Sequence, residues 1–199
     1  MSNKIKIKIT PEYKQCVKYL KNEEKFIFVS GKAGVGKSML IKFLTNKIRN
    51  KNIVLVAPTG IASINIGGQT IHSLFGFGTD VVTPYNVKIG NGGMKEVFKK
   101  IDILIIDEIS MVRADLMDGI DISLRRHRQI NEPFGGVQIV AVGDLYQLTP
   151  VVKTQEERDF FARHYETEFF FSALVFKKID FISIMLEKVF RQNDDKTIE

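Results

Sequence analysis

Gly31-Lys32-Ala33-Gly34-Val35-Gly36-Lys37-Ser38 follows closely on the apolar run Phe26-Ile27-Phe28-Val29. The order strand, glycine loop, helix gives a G-x-x-x-x-G-K-S string its meaning as a phosphate-binding loop. Its glycines let backbone N–H groups converge on a phosphate, at the positive end of the helix that follows. Lys37 supplies a point charge for the β- and γ-phosphates, and the Ser38 hydroxyl a ligand for Mg²⁺. The nucleotide-binding set is therefore Gly31, Lys32, Ala33, Gly34, Val35, Gly36, Lys37 and Ser38, and the expected ligand is a nucleoside triphosphate.

Working outward, short apolar runs at Phe26–Val29, Ile53–Ala57, Ile103–Ile106, Val137–Val142 and Phe181–Leu186 have the continuous hydrophobicity of strands buried on both faces. Helix-length segments lie between them: Lys37 to about Asn50, roughly Gly60 to Leu74, and Ala114 to Gln129. This alternation predicts a parallel sheet with helices on both faces. Gly76 to Gly93 carries Gly76, Gly78, Pro84, Gly90, Gly92 and Gly93 and is predicted to be a surface loop or insertion. Met1 to Ile9 alternates Lys and Ile, the pattern of an edge strand or an ordered tail.

The 199 residues, 44% of them hydrophobic, suffice for one core and one domain spanning residues 1–199. No run approaches the ~20 apolar residues of a membrane span, and the start lacks the apolar block of a secretory signal. A single cysteine, Cys16, cannot form an internal disulfide, and His72, His127 and His164 offer no zinc spacing. A cytosolic or nuclear setting is expected. The net charge of +6 is uneven, with 13 Lys/Arg against 3 Asp/Glu in the first 51 residues. Charge alone is weak evidence for nucleic acid, since such a segment is usually a solvated face. Arg125-Arg126-His127-Arg128 is the better local candidate for a phosphate-contacting patch, weighed against a solvent-facing helix end.

In open α/β sheets, ligands gather at the carboxyl ends of the strands. Each strand here is followed there by specialised residues: the phosphate loop, Pro58-Thr59-Gly60, Asp107-Glu108, Gly143-Asp144-Leu145-Tyr146-Gln147, and Arg191-Gln192. Asp107 is placed to hold Mg²⁺ and Glu108 to polarise an attacking water. Gln147 can bridge the γ-phosphate or that water to something beyond, and Arg191 can neutralise charge on the transferred phosphoryl group.

These residues also carry a family resemblance. Ala57-Pro58-Thr59-Gly60-Ile61-Ala62-Ser63, with Ile66-Gly67-Gly68 and Thr70-Ile71-His72-Ser73-Leu74-Phe75, resembles motif Ia of superfamily one DNA helicases on the petite-integration-frequency (PIF) and RecD-like branch. Asp107-Glu108-Ile109-Ser110-Met111-Val112 resembles motif II, and Pro133-Phe134-Gly135-Gly136-Val137-Gln138 through Gly143 to Val151 resembles motif III with the run before it. Leu186-Glu187-Lys188-Val189-Phe190-Arg191-Gln192 resembles motif IV, and Gln15 in Thr10-Pro11-Glu12-x-x-Gln15 matches the glutamine that reads adenine. The resemblance runs from about residue 10 to residue 192 and implies a P-loop NTPase, the first RecA-like motor domain of a 5′-to-3′ helicase. By position it implies Lys37, Glu108, Gln147 and Arg191 as the catalytic set, Gln15 at adenine, and Ser38 and Asp107 at Mg²⁺. It also implies single-stranded DNA contacts at Pro58, Thr59, Gly60 and, in the Thr70–Phe75 stretch, His72.

Two departures stand out. Motif III has Leu145-Tyr146 and Thr149 where the family usually carries aromatic residues and a proline. Motifs V and VI, with a second arginine finger and the second RecA-like domain, do not occur in the chain, which implies a fragment that binds ATP and turns it over weakly. A small-molecule kinase would need a lid and an acceptor pocket, for which the sequence supplies no residues. A nucleotide-gated DNA-binding module or loader with little intrinsic hydrolysis remains open.

Overall fold

The computed structural model describes residues 9–90 and 92–188. Six strands, β1 (Phe26–Ser30), β2 (Ile53–Ala57), β3 (Gln69–Thr70), β4 (Ile103–Ile106), β5 (Gln138–Gly143) and β6 (Ile182–Met185), form one sheet in the order β3-β2-β4-β5-β1-β6. Every pairing is parallel. The helices are α1 (Pro11–Lys21), α2 (Lys37–Lys47), α3 (Gly60–Ile66), α4 (Ile71–Phe75), α5 (Gly92–Lys100), α6 (Ala114–Arg128) and α7 (Gln155–His164).

Alternate strand residues feed two separate cores, as the pleat requires. Ile27, Val29, Ile103, Ile105, Val140 and Val142 pack with Tyr13, Leu20, Leu40 and Leu44 of α1 and α2. Phe28, Leu104, Ile106, Ile139 and Ala141 pack with Phe98, Met117, Ile120, Leu124 and Phe161 of α5, α6 and α7. The expected two-sided α/β sheet is therefore present, and the aromatics Phe161 and Phe170 are core residues.

Four expectations need correction. The helix expected over Gly60 to Leu74 is α3, β3 and α4, because Gly67 ends α3 in the left-handed region at φ +69°. Its neighbour Gly68 then lies so close to β2 that a Cβ would meet the Leu55 carbonyl oxygen at 2.3 Å. Helices α1, α5 and α7 are additional elements. Two carry plain start signals: Thr10 caps α1 ahead of Pro11, and Thr154 with Glu157 forms a capping box on α7.

The Gly76–Gly93 stretch is not wholly a surface feature, since α5 begins at Gly92 and Val82 and Val87 are buried. Its backbone is held by α6, with Asp115 accepting from Val82 N at 2.7 Å and His127 Nε2 from Gly90 N at 2.8 Å. The Arg125–Arg128 cluster is likewise not an open patch. Arg126 donates to Val87 O, and Arg128 to the carbonyls of Phe98, Lys99, Ile101 and Gly135. His127 is fully buried, and Arg125 pairs with Asp121 at 2.7 Å. The Met1–Ile9 expectation lies outside the described residues except for Ile9.

Candidate nucleotide site and its neighbours

Strand order brings the specialised ends together: β5 lies between β1, which feeds the phosphate loop, and β4, which feeds Asp107-Glu108. The seams between these ends are tight. Gly31 N donates to Gly143 O at 3.2 Å. A Cβ on Gly143 would meet Ile109 Cγ2 at 2.8 Å, so the turn after β4 rests directly on the end of β5. Asp107 N donates to Val56 O at 2.9 Å, tying the same turn to β2.

The loop takes its shape from Gly34 and Gly36, at φ +79° and +92°, a region that side chains disfavour. Gly36 is the N-cap of α2 and offers no side chain to close the helix start. The first amides of α2 therefore depend on a ligand or water for partners. Lys37 Nζ folds over the loop and donates to the carbonyls of Gly31 at 2.8 Å and Lys32 at 3.1 Å. Lys32, Ala33, Gly34 and Ser38 are exposed, Gly36 and Lys37 half-buried, and Gly31 and Val35 buried.

Asp107 is 6% exposed. Burial pushes its carboxyl up to about 6; the Glu108 charge adds to this, while the Glu108 amide and the Lys37 ammonium oppose it. Glu108 itself is half-buried in the left-handed region at φ +50°, ψ 45°, an uncommon conformation for a non-glycine residue of the kind that collects at functional sites. Hard oxygen donors of this kind suit Mg²⁺, which is commonly held by one or two protein oxygens and the phosphates of its nucleotide. Among the described residues no cluster of three or more His, Cys, Asp or Glu competes as a metal site.

Gln147 is exposed, and its Nε2 donates to Asp144 Oδ2 at 2.8 Å. The Gln147 bond is the largest influence holding the Asp144 carboxyl below the usual range, with Lys37 and Lys32 contributing. Asp144 thus anchors Gln147 next to Gly143, whose carbonyl accepts from Gly31 N of the phosphate loop. Sequence reasoning misses this role, and the signal that could have found it is the position of Asp144 at the carboxyl end of a strand. Gln15 is exposed on α1, with Nε2 donating to Tyr19 Oη at 2.8 Å. Arg191 lies outside the described residues.

The residues expected to meet a single strand follow two paired strand ends, Ala57 of β2 being the register partner of Thr70 of β3. Pro58 and Thr59 are half-buried at the end of β2, one strand from Asp107. Thr59 caps α3 by accepting from Ala62 N at 3.3 Å, which leaves its hydroxyl proton able to donate outward, and Gly60 is exposed. His72 is half-buried on α4. Burial and the nearby Arg113 charge lower its pKa, against the pull of Asp115. Arg113 is itself chelated by Asp115 at 2.8 and 2.9 Å and bonded to Glu157.

The PIF1-like helicase family model matches residues 8–199. The chain belongs to the PIF1-like helicase family. It is 34% identical over 208 residues to the ATP-dependent DNA helicase RRM3 of Saccharomyces cerevisiae, covering 96% of this chain and 26% of that protein. It is 35% identical over 174 residues to the human ATP-dependent DNA helicase PIF1, covering 86% of this chain and 26% of the relative. The chain therefore spans about a quarter of the length of these relatives.

Among solved structures, Bacteroides Pif1 bound to single-stranded DNA superposes with a TM-score of 0.84 at 46% identity, over 93% of this chain and 43% of that one. Bacteroides Pif1 in complex with ADP-AlF4 gives 0.85 at 45% identity, over 92% and 43%. The parallel sheet with helices on both faces is thus the fold of PIF1-like helicases. Among the described residues no helix is long and apolar enough to cross a membrane.

Proposed function

We propose that this chain is the first RecA-like motor domain of a 5′-to-3′ DNA helicase, binding and hydrolysing ATP while contacting single-stranded DNA. The observation that carries this is geometric. Strand β5 lies between β1, which feeds the phosphate loop, and β4, which feeds Asp107-Glu108, and just past its own end Asp144 holds Gln147. The phosphate loop, the carboxylate pair and the loop suited to sensing nucleotide thereby follow three adjacent strand ends.

In this mechanism Gln15 meets adenine and residues 31–38 wrap the phosphates. Ser38 and Asp107 would hold Mg²⁺, which, when bound, neutralises phosphate charge. Glu108 accepts a proton from the attacking water and Gln147 orients it, with Arg191 against the developing charge. Pro58, Thr59, Gly60 and His72 hold the strand through its backbone, without reading sequence. A second motor domain, for which the longer relatives have room, supplies the closing motion that translocation needs.

A gated version of this reading has support of its own. With Gln147 tied to Asp144 and Lys37 folded onto its own loop, the hydrolytic groups are engaged elsewhere, as in a module that turns over slowly until DNA binds.

The test is ATP binding and phosphate release with and without single-stranded DNA, beside Lys37→Ala and Glu108→Gln. Binding lost in Lys37→Ala, with hydrolysis alone lost in Glu108→Gln by a factor on the order of 100 or more, is expected. Strand-stimulated turnover that survives Glu108→Gln would sink the assigned base. Binding without turnover in the unmodified chain would favour the gated module.

A further inference from the structure

We propose that Tyr13 is a positioning residue for the phosphate loop, its hydroxyl fixing the Gly36–Lys37 peptide so that the Lys37 amide is aimed at the nucleotide's phosphates. The proposal rests on the nucleotide-binding function above and deepens it. Tyr13 lies in the first turn of α1 and is 0% exposed. Its Oη donates to Gly36 O at 2.6 Å, across 23 residues of sequence. The same carbonyl accepts the first backbone bond of α2, from Leu40 N at 2.9 Å, so both of its lone pairs are engaged.

A peptide unit is planar, with its carbonyl and N–H pointing in opposite directions. Clamping the Gly36 carbonyl from behind therefore sets the direction of the Lys37 N–H in front, and that N–H is among the amides α2 leaves without a helical partner. Help is needed at this point. Gly36 sits at φ +92°, ψ 21°, carries no side chain, and gives α2 no side-chain cap. Glycine at such a position is free to swing unless something external holds it.

Tyr13 supplies that hold with little freedom of its own. Its ring packs on Phe43 of α2 with centroids 5.6 Å apart, so the clamp is seated on the helix it orients. Burial, with a smaller push from Glu12, raises the phenol to about 12, and the hydroxyl stays a donor throughout the physiological range. Two positions along, on the exposed side of α1, stands Gln15. The helix that meets the base is thus also bolted to the loop that meets the phosphates.

The experiment uses the full chain and Tyr13→Phe, which deletes only the hydroxyl. Binding of a fluorescent N-methylanthraniloyl-ADP reads base and phosphates together, and its displacement by inorganic pyrophosphate reads the loop alone. Loss of one neutral hydrogen bond predicts that both affinities weaken by the same factor, roughly 3- to 12-fold. Gln15→Ala is expected to weaken the labelled ADP and leave pyrophosphate unchanged.

Unchanged binding in Tyr13→Phe overturns the proposal. So does a loss confined to the labelled ADP, which would place the effect at the base. Hydrogen exchange of amides 34–39, measured where circular dichroism shows the variant folded, is expected to quicken in that loop; unaltered exchange there also overturns it. Failure of the unmodified chain to bind either ligand would instead refute nucleotide binding itself, visible before any variant is made.

Discussion

The phosphate-loop edge of the sheet and the α6 face spend their polar side chains in opposite ways. At the edge, Lys37 reaches carbonyls five and six residues away, and Gln147 a carboxylate three residues away. These bonds are local, exposed or half-buried, and can be exchanged for bonds to a ligand. On α6 the aspartates at positions 115, 118 and 121, spaced three apart on one face, each accept backbone amides from a different distant segment. Asp115 takes Val82 N, Asp118 takes Leu174 N and Val175 N, and Asp121 takes Phe134 N. The basic residues after them do the same for carbonyls of the segments around Val87, Phe98 and Gly135. One region is wired to change partners, the other to hold segments that lie far from it in sequence.

The contrast predicts that damage to α6 costs stability and damage to the edge costs binding. The largest effect is expected at Asp118, whose carboxylate also accepts from Tyr165 Oη at 3.0 Å. Asp118→Ala strands two amides and a hydroxyl and should destabilise the chain by about 3 kcal/mol. For a domain of this size that lowers Tm by roughly 6–12 °C in calorimetry, with ATP affinity of the folded fraction unchanged. Burial is the leading influence on the Asp118 carboxyl and raises its pKa despite these bonds. Asp118→Asn keeps one acceptor without the buried charge and is expected to recover more than half of the loss.

Lys37→Ala is the mirror case. Removing charge-assisted bonds to two phosphates should weaken ATP by roughly 100-fold while leaving the melting temperature within error. A large fall in Tm would mean that the two carbonyl bonds made by Lys37 are structural after all, and the contrast would fail at its clearest point.

This division also explains what is legible in the sequence. The strand bounds Ile53–Ala57 and Ile103–Ile106 can be read directly, because both are continuous apolar runs, the second buried throughout and the first half-buried over Ile53–Leu55. The phosphate loop and the strand-end carboxylates are legible for a related reason: their chemistry lies within a few consecutive residues. The α6 clamps are not. Spacing of three reads as a solvated helix face, and nothing local in Asp118 points to Leu174. The basic run 125–128 misleads in the same way, since its carbonyl partners lie up to 39 residues off. Tyr13 gives no signal either, as its partner is 23 positions away. Helix α7 is a different miss, for the capping pair Thr154 and Glu157 is local and open to reading.

Asp107 tests the edge at a smaller scale and through pH. Its carboxyl ionises near 6 in the folded chain against an ordinary value of 3.8. An acid whose folded pKa is raised contributes stability that is present below its unfolded pKa and lost as pH rises through the folded one. Between pH 4 and 6 the nucleotide-free chain should therefore lose about 1–3 kcal/mol through this group. Asp107→Asn should be no more stable than the unmodified chain at pH 4 and more stable by about that amount at pH 7, while binding Mg²⁺-nucleotide less well. Equal melting temperatures at pH 7 would show that the site stores no such strain.

The smallest effect sharpens the boundary between the two regions. Among the described residues Arg126 makes one bond, to Val87 O at 2.8 Å, from an exposed position, whereas half-buried Arg128 gathers four carbonyls. Arg126→Ala is expected to cost about 0.5 kcal/mol, barely visible in a melt. It should register as faster amide hydrogen exchange near Val87 and as unchanged affinity for single-stranded DNA at low salt, where phosphate contacts are strongest. If strand affinity falls while exchange near Val87 does not change, this arginine faces nucleic acid, and the α6 end belongs with the ligand-exchanging edge instead of the clamp.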